Sequence, residues 1–253
     1  MQNYSVLMSV YFKESPEYLK QAIESIQAQT VPTDDFVLVC DGPLNDALDA
    51  VIAAKQQEMG SALNVVRLAR NGGLGNALNK GIKHCKNELV ARMDSDDIAY
   101  FDRCEKQIAV FNMRPDVSIC SGIVEEFTTE PNIVDSKRVP PETNAEIVEF
   151  AKKRCPFNHP CVMYKKSAVE AAGSYQDFYL LEDYYLWLRM LMAGYQGYNI
   201  QEPLLHMRAG SDMYKRRAGW KYAKTQARLF KLKKQQGYIG NGQYINSCVI
   251  RSG

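Results

Sequence analysis

The apolar positions of the first hundred residues fall into short unbroken runs separated by stretches of helical period. Residues 5–11, 36–40, 64–68 and 88–93 are nearly continuous apolar runs of strand length, rich in Val and Leu. Between them, residues 16–29, 44–59 and 76–85 carry apolar side chains at three- and four-residue spacing. Ser15 before Pro16 reads as an N-cap followed by proline at the first helical position. Strands that are apolar on both faces and alternate with helices predict an α/β fold, a mostly parallel sheet covered on both sides. In such sheets ligands bind beyond the carboxyl ends of the strands. Those ends carry Tyr11 to Glu14, Cys40-Asp41, Leu68 to Arg70 and Asp94 to Asp97.

The second half is less regular. Helices are predicted at 101–113, 144–154, 167–172 and 181–192, strands within 117–127 and at 161–164, a loop over 129–141 and a basic helix over 214–236. This divides the chain into one domain over 1–212 and a basic helical tail over 213–253.

Composition narrows the class. Of 253 residues 46% are hydrophobic, enough for a substantial core. The seven cysteines are scattered, odd in number and without a Cys-x-x-Cys pair, which predicts free thiols in a reducing compartment, not a disulfide framework or a zinc site. No apolar run approaches the roughly 18 residues of a membrane span, and no signal peptide is visible, so a cytoplasmic protein is expected. Charge is unevenly placed. Ten of the 31 Lys and Arg residues follow Asp212 and none of the 29 Asp and Glu residues do, leaving 21 basic against 29 acidic before that point. A basic amphipathic helix on such a tail either lies on an anionic membrane or packs on the domain with a solvated basic face. The acidic body argues against a nucleic-acid partner.

Four polar clusters carry candidate chemistry. Asp94-Ser95-Asp96-Asp97 closes a strand with three carboxylates. Hard divalent cations such as Mg²⁺ and Mn²⁺ take such oxygen ligands together with substrate phosphates, although Asp also favours helix N-caps and first turns. Asn71-Gly72-Gly73-Leu74-Gly75 reads equally as a plain turn near a ligand or a phosphate cradle, with Arg70 as an adjacent cation. Glu182-Asp183 opens an aromatic helix and reads as a general base or as helix capping. His206 follows Pro203-Leu204-Leu205 and is a weak candidate metal ligand against a structural role.

Taken in order, these motifs resemble those of inverting family 2 glycosyltransferases with the GT-A fold, from Ser5 to about Arg208. The phrases Arg92-Met-Asp-Ser-Asp-Asp97 and Leu181-Glu-Asp-Tyr-Tyr-Leu-Trp187 are similar to those of small bacterial exopolysaccharide and O-antigen (amylovoran-type) transferases. The resemblance implies a nucleotide-sugar-binding half over 1–98 and an acceptor half over 99–212. It implies that Tyr11 and Glu14 lie on a nucleotide-contacting turn, that Asp41 contacts uracil, and that Arg70, Asn71 and Gly72 belong to the family's Asn-Gly-Gly-Leu segment. It further implies that Asp94 and Ser95 meet ribose or the waters of a metal, that Asp96 ligates Mn²⁺ or Mg²⁺, and that Asp183 is the catalytic base. The implied partners are a UDP-sugar donor and a saccharide acceptor; the acid-free tail, and not the resemblance, motivates an acceptor linked to polyprenyl diphosphate and peripheral contact at the inner membrane face through residues 214–236. The family's usual Asp-Asp-Gly-Ser turn is Cys40-Asp41-Gly42-Pro43 here, so only the second aspartate carries over. Two rivals stand beside this reading. A sugar nucleotidyltransferase requires a glycine-rich loop after the first strand, which Tyr11-Phe12-Lys13-Glu14 lacks, and a silent sugar- or lipid-binding module has no need of Asp94, Asp96 and Asp183.

Overall fold

The computed structural model describes residues 2–210 and 219–244. Its first half follows the apolar pattern closely. Strands β1 (Tyr4–Val10), β2 (Phe36–Cys40), β3 (Leu63–Arg67) and β4 (Leu89–Asp94) alternate with helices α1 (Pro16–Gln27), α2 (Asp46–Met59) and α3 (Leu74–Gly81). The strands pair in parallel, in the order β3-β2-β1-β4. β1 and β2 are inaccessible on both faces because alternate side chains enter two separate cores. Val6, Met8 and Leu38 join Leu19 and Ile23 of α1 on one face. Leu7, Val37 and Val39 join Ala77 and Leu78 of α3 on the other. Each of these Val, Leu, Ile and Met side chains contributes about 1.5–3 kcal/mol of burial. Ser15 caps α1 by accepting from the Tyr18 amide, and Asn45 caps α2 by accepting from Leu48.

The sheet then continues with mixed strand directions, antiparallel at every added pair but the long β6–β9 one, which is parallel. β8 (Met163–Lys165) adds to β4, β6 (Val117–Phe127) to β8, β9 (Gln196–Arg208) to β6, and the two-residue β5 (Ile98–Ala99) to β9. β7 (Ser136–Arg138) pairs with β6 inside the stretch expected to be a loop. Helices α4 (Arg103–Met113), α5 (Asn144–Ala151), α6 (Lys166–Ala171) and α7 (Glu182–Met192) cover this half. β9 has no counterpart among the predicted elements. Its apolar run is broken by Pro203, which sits where the register with β6 shifts between Gly122 and Ile123. Proline is tolerated at such irregularities because no ladder donor is needed there.

Helix α8 (Trp220–Gln235) begins at Trp220; residues 214–218 of the predicted basic helix lie outside the described residues. Packing holds α8 to the domain. Leu229, Phe230 and Lys233 are buried, and the Lys233 ammonium donates to the Ala151 and Lys152 carbonyls at the end of α5, at 2.9 and 3.3 Å, and to the Tyr184 hydroxyl on α7. A cation is favourable at a helix C-terminus, where carbonyls lack intrahelical partners. Lys233→Ala strips these acceptors of their donor, at a cost of about 2 kcal/mol. Thermal denaturation should show a clear fall in Tm, and an unchanged Tm would remove this anchoring role. Among the described residues no helix is long and apolar enough to cross a membrane.

Candidate active site

The carboxyl ends of β1, β2 and β4 open into a cleft of about 710 Å³, which the start of α7 and the end of β9 also line. Its acidic wall follows from where β4 stops. The strand ends at Asp94, a tight turn follows, and the chain re-enters the sheet as β5. No helix begins there, so the capping alternative for this cluster falls away. Oxygens of Asp94, Asp96 and Asp97 lie within 4.8 Å of one another. Burial, with the charges of Asp94 and Glu14 beside it, pushes the Asp96 carboxyl up to about 7. Burial and the same crowding hold Asp97 well above the carboxylate range. Rather than capping a helix, Asp97 accepts the Arg208 backbone N–H at 2.9 Å and so fastens the end of β9 to the acidic turn.

Asp94 has a different environment. Two residues earlier on the same strand face, Arg92 holds it with one hydrogen bond, Nη1 donating to Oδ2 at 2.6 Å, and an ion-pair contact of 2.5 Å between Nη2 and Oδ1. Arg92 is only 1% exposed. Burial opposes its charge, but the attraction of Asp94 and Asp183 outweighs that and keeps the guanidinium charged. His159 stands 3.6 Å from Asp94 on the other side. Behind the strand, buried Arg103 donates to the Arg92 carbonyl at 2.6 Å. Neither arginine was singled out from sequence. The available signal was a lone basic residue inside the apolar run Leu89-Val-Ala-Arg-Met93, since an arginine is almost never buried without a partner.

The turn after β1 is tied to this wall. Glu14 accepts from the Ser95 hydroxyl at 2.6 Å and from the Ser15 amide at 2.8 Å. Tyr11 lines the cleft beside it. At the end of β2, the Asp41 carboxylate accepts the Gly72 and Gly73 amides at 2.8 and 2.9 Å, and the Asn71 side chain returns a bond to the Asp41 carbonyl. These amides are therefore engaged within the protein, which favours the plain-turn reading of the Asn71 loop over a phosphate cradle. Gly42 allows the close approach: its φ is +91°, and a Cβ there would lie 2.6 Å from the Asn71 nitrogen. Asp41, Asn71 and Gly73 line the cleft, whereas Arg70 is exposed and, like Gly72, outside its lining.

Glu182 and Asp183 reach the cleft from the first turn of α7. The N-cap position is Leu181, and no side chain caps this helix. Leu180 turns the chain with φ +58° and itself lines the cleft. Opposite, the Arg208 guanidinium stacks on Tyr18 at 3.7 Å and on Phe127 at 4.6 Å, and donates to the Asp96 carbonyl and to Gln21. That leaves a fixed cation beside the carboxylates.

His206 requires correction as a metal ligand. It lies outside the cleft lining, stacked on Tyr100 at 4.4 Å, with Nδ1 3.7 Å from Glu125. Burial lowers its pKa despite Glu125 and keeps the ring neutral. Strand β9 directs it into this aromatic layer because residue 206 pairs with Ile98 of β5. The structure thus brings together Tyr11, Glu14, Asp41, Asn71, Asp94, Ser95, Asp96 and Asp183, and leaves His206 and Arg70 apart.

Comparison with known proteins agrees with this arrangement. The family model described as glycosyl transferase family 2 matches residues 5–173. The chain is 43% identical over 245 residues to the amylovoran biosynthesis glycosyltransferase AmsE of Erwinia amylovora, covering 96% of this chain and 91% of that protein. It is 37% identical over 248 residues to an Escherichia coli UDP-Gal:alpha-D-GlcNAc-diphosphoundecaprenol beta-1,3-galactosyltransferase, covering 98% and 89%. Among solved structures, the mannosyltransferase PcManGT of Pyrobaculum calidifontis, in complex with GDP-Man and Mn²⁺, superposes with a TM-score of 0.68 at 16% identity, covering 94% of this chain and 65% of that one. S. aureus TarS 1–349 in complex with UDP-GlcNAc gives 0.66 at 16% identity, covering 90% and 66%. These structures share the GT-A-type fold with this chain.

Proposed function

Because the chain belongs to glycosyl transferase family 2, we propose that it moves one sugar (galactose, glucose or N-acetylglucosamine) from a UDP-sugar to a saccharide carried on polyprenyl diphosphate, in bacterial surface-polysaccharide synthesis. The observation that carries this reading is one cleft lined both by three converging carboxylates and, from the start of α7, by Asp183. The relative acting on a diphosphoundecaprenol-linked acceptor supports the acceptor class.

The residues fit a divalent cation. Two of the three carboxylates are pushed up by burial and mutual repulsion, a cost that a hard cation relieves. Asp96 and Asp94 would hold Mn²⁺ or Mg²⁺, which when bound would neutralise charge building on the leaving diphosphate. The protein's own groups do the rest. Tyr11 and the Asp41–Asn71 corner bound the nucleotide side of the cleft. Arg208 sets a positive charge near the diphosphate. Asp183 takes the proton of the acceptor hydroxyl as that oxygen attacks the anomeric carbon, and the configuration inverts without a covalent sugar intermediate. Since a single sugar is added, the cleft must release its product after each transfer.

Calorimetric titration with UDP, with and without Mn²⁺, tests the reading. Binding should depend on the metal, and metal-independent or absent UDP binding would overturn it. A second test uses proton linkage. Between pH 3.8, the ordinary Asp value, and about 7, folded Asp96 retains a proton that the unfolded chain has lost. The contribution of Asp96 to the slope of stability with pH is therefore negative across that window in the metal-free protein. Mn²⁺ should raise Tm more at pH 8 than at pH 5, where it competes with that proton. Equal gains at both pH values would exclude these carboxylates as the ligands.

A further inference from the structure

Helix α8 has two unlike faces. Leu229, Phe230 and Lys233 turn inward. Lys221, Lys224, Arg228, Lys231 and Lys234 are all exposed, and no Asp or Glu occurs in the helix. At the α-helical 100° per residue these five cations occupy one arc of roughly 140°, opposite the buried face. Because the inward face is committed to α5 and α7, the cations form a fixed row roughly 20 Å long. At its start Trp220 is 75% exposed. The Lys221 ammonium sits 3.8 Å from the Tyr179 ring centroid, and the next residue, Leu180, lines the cleft. The row is therefore continuous with the rim of the active site.

We propose that this outer face of α8 docks on an anionic phospholipid bilayer, by charge and by Trp220 at the headgroup level, not by insertion of an apolar helix face. The apolar face that insertion would need is already used inside the protein. A straight cationic row with exposed Trp and Tyr fits a planar anionic surface. A polyanionic nucleic acid fits it less well, because 29 acidic against 21 basic residues on the remainder of the chain repel a second wrap of phosphates. The purpose of docking, to bring the cleft to a lipid-linked acceptor, rests on the function proposed above; the binding itself does not.

Removal of the whole tail is a poor test, since it also removes Leu229, Phe230 and Lys233 from the core. The full-length variant Lys224→Gln/Lys231→Gln/Lys234→Gln leaves the inward face intact. In sedimentation with vesicles, wild type should bind phosphatidylcholine vesicles containing about 30 mol% phosphatidylglycerol and not pure phosphatidylcholine, with loss of binding in about 0.5 M salt. The triple variant should bind roughly 100-fold more weakly, and Trp220→Ala should weaken binding further, while UDP release with a water-soluble acceptor stays at the wild-type rate. Equal binding to neutral and anionic vesicles, or an unaltered triple variant, would overturn the proposal. So would tighter binding of wild type to duplex DNA or single-stranded RNA than to anionic vesicles at the same salt. If vesicle binding holds but UDP release is absent with every donor, the proposed reaction fails and the docking surface stands.

Discussion

Asp183→Asn should lower kcat by about 10²–10⁴-fold while UDP affinity in the presence of Mn²⁺ stays near wild type, because general-base removal contributes on that scale. The substitution keeps size and shape, so α7 should fold unchanged and the cleft should keep its acidic wall. Asp183 approaches from the helix start and is not among the three clustered carboxylates, which is why donor binding and proton removal should separate in the measurement. A UDP-release assay over several UDP-sugars, paired with calorimetry, reads both. Transfer that survives at more than about a tenth of the wild-type rate would transfer the base role to another group. Glu182 is the neighbour to examine, because it lines the same cleft, is half-buried, and loss of solvent raises its pKa.

Arg92→Met should produce the largest loss of stability. It leaves Asp94, and the nearby Asp183, without the buried cation that faces both. Breaking a buried pair by deleting one partner costs about 3–5 kcal/mol. Because Asp94 retains some solvent contact and His159 beside it, the lower figure applies, which corresponds to about 10 °C in Tm for a chain of this length. Arg92→Lys should recover only part of that, since a single ammonium cannot place two nitrogens against the two oxygens of one carboxylate. Thermal melts that rank wild type, Lys and Met in descending order would support the bracing role. A Met variant within about 2 °C of wild type would remove it.

The first four strands and three helices were readable because β1, β2 and β4 are buried on both faces, which writes itself as an apolar run between helical periods, and half-buried β3 keeps enough of that run to be seen. The later sheet lacks that signature. β5 is two residues long, and β9 buries Asn199 by satisfying its amide with the Pro141 and Pro156 carbonyls, so neither reads as an apolar strand. In the cleft, Asp94, Asp96 and Asp183 announced themselves as acidic clusters at element ends. Arg92 and Arg103 did not, because their partners are a carboxylate two residues on and backbone carbonyls, visible only after folding. His206 misled for a related reason: its surroundings, Tyr100 and Glu125, come from distant segments. The tail's two readings also proved compatible in space, since packing uses one face of α8 and leaves the other outward.

The bond between the Asp97 carboxylate and the Arg208 amide joins positions 111 residues apart. During synthesis all three carboxylates leave the ribosome long before residue 208 does. A nascent chain of the first hundred residues can form the parallel strands, yet its acidic turn has neither the β9 amide nor the stacked guanidinium beside it. Contacts of such sequence separation close late. Donor-binding competence should consequently appear as one of the last events in the birth of the molecule, after most of its hydrophobic interior is already in place.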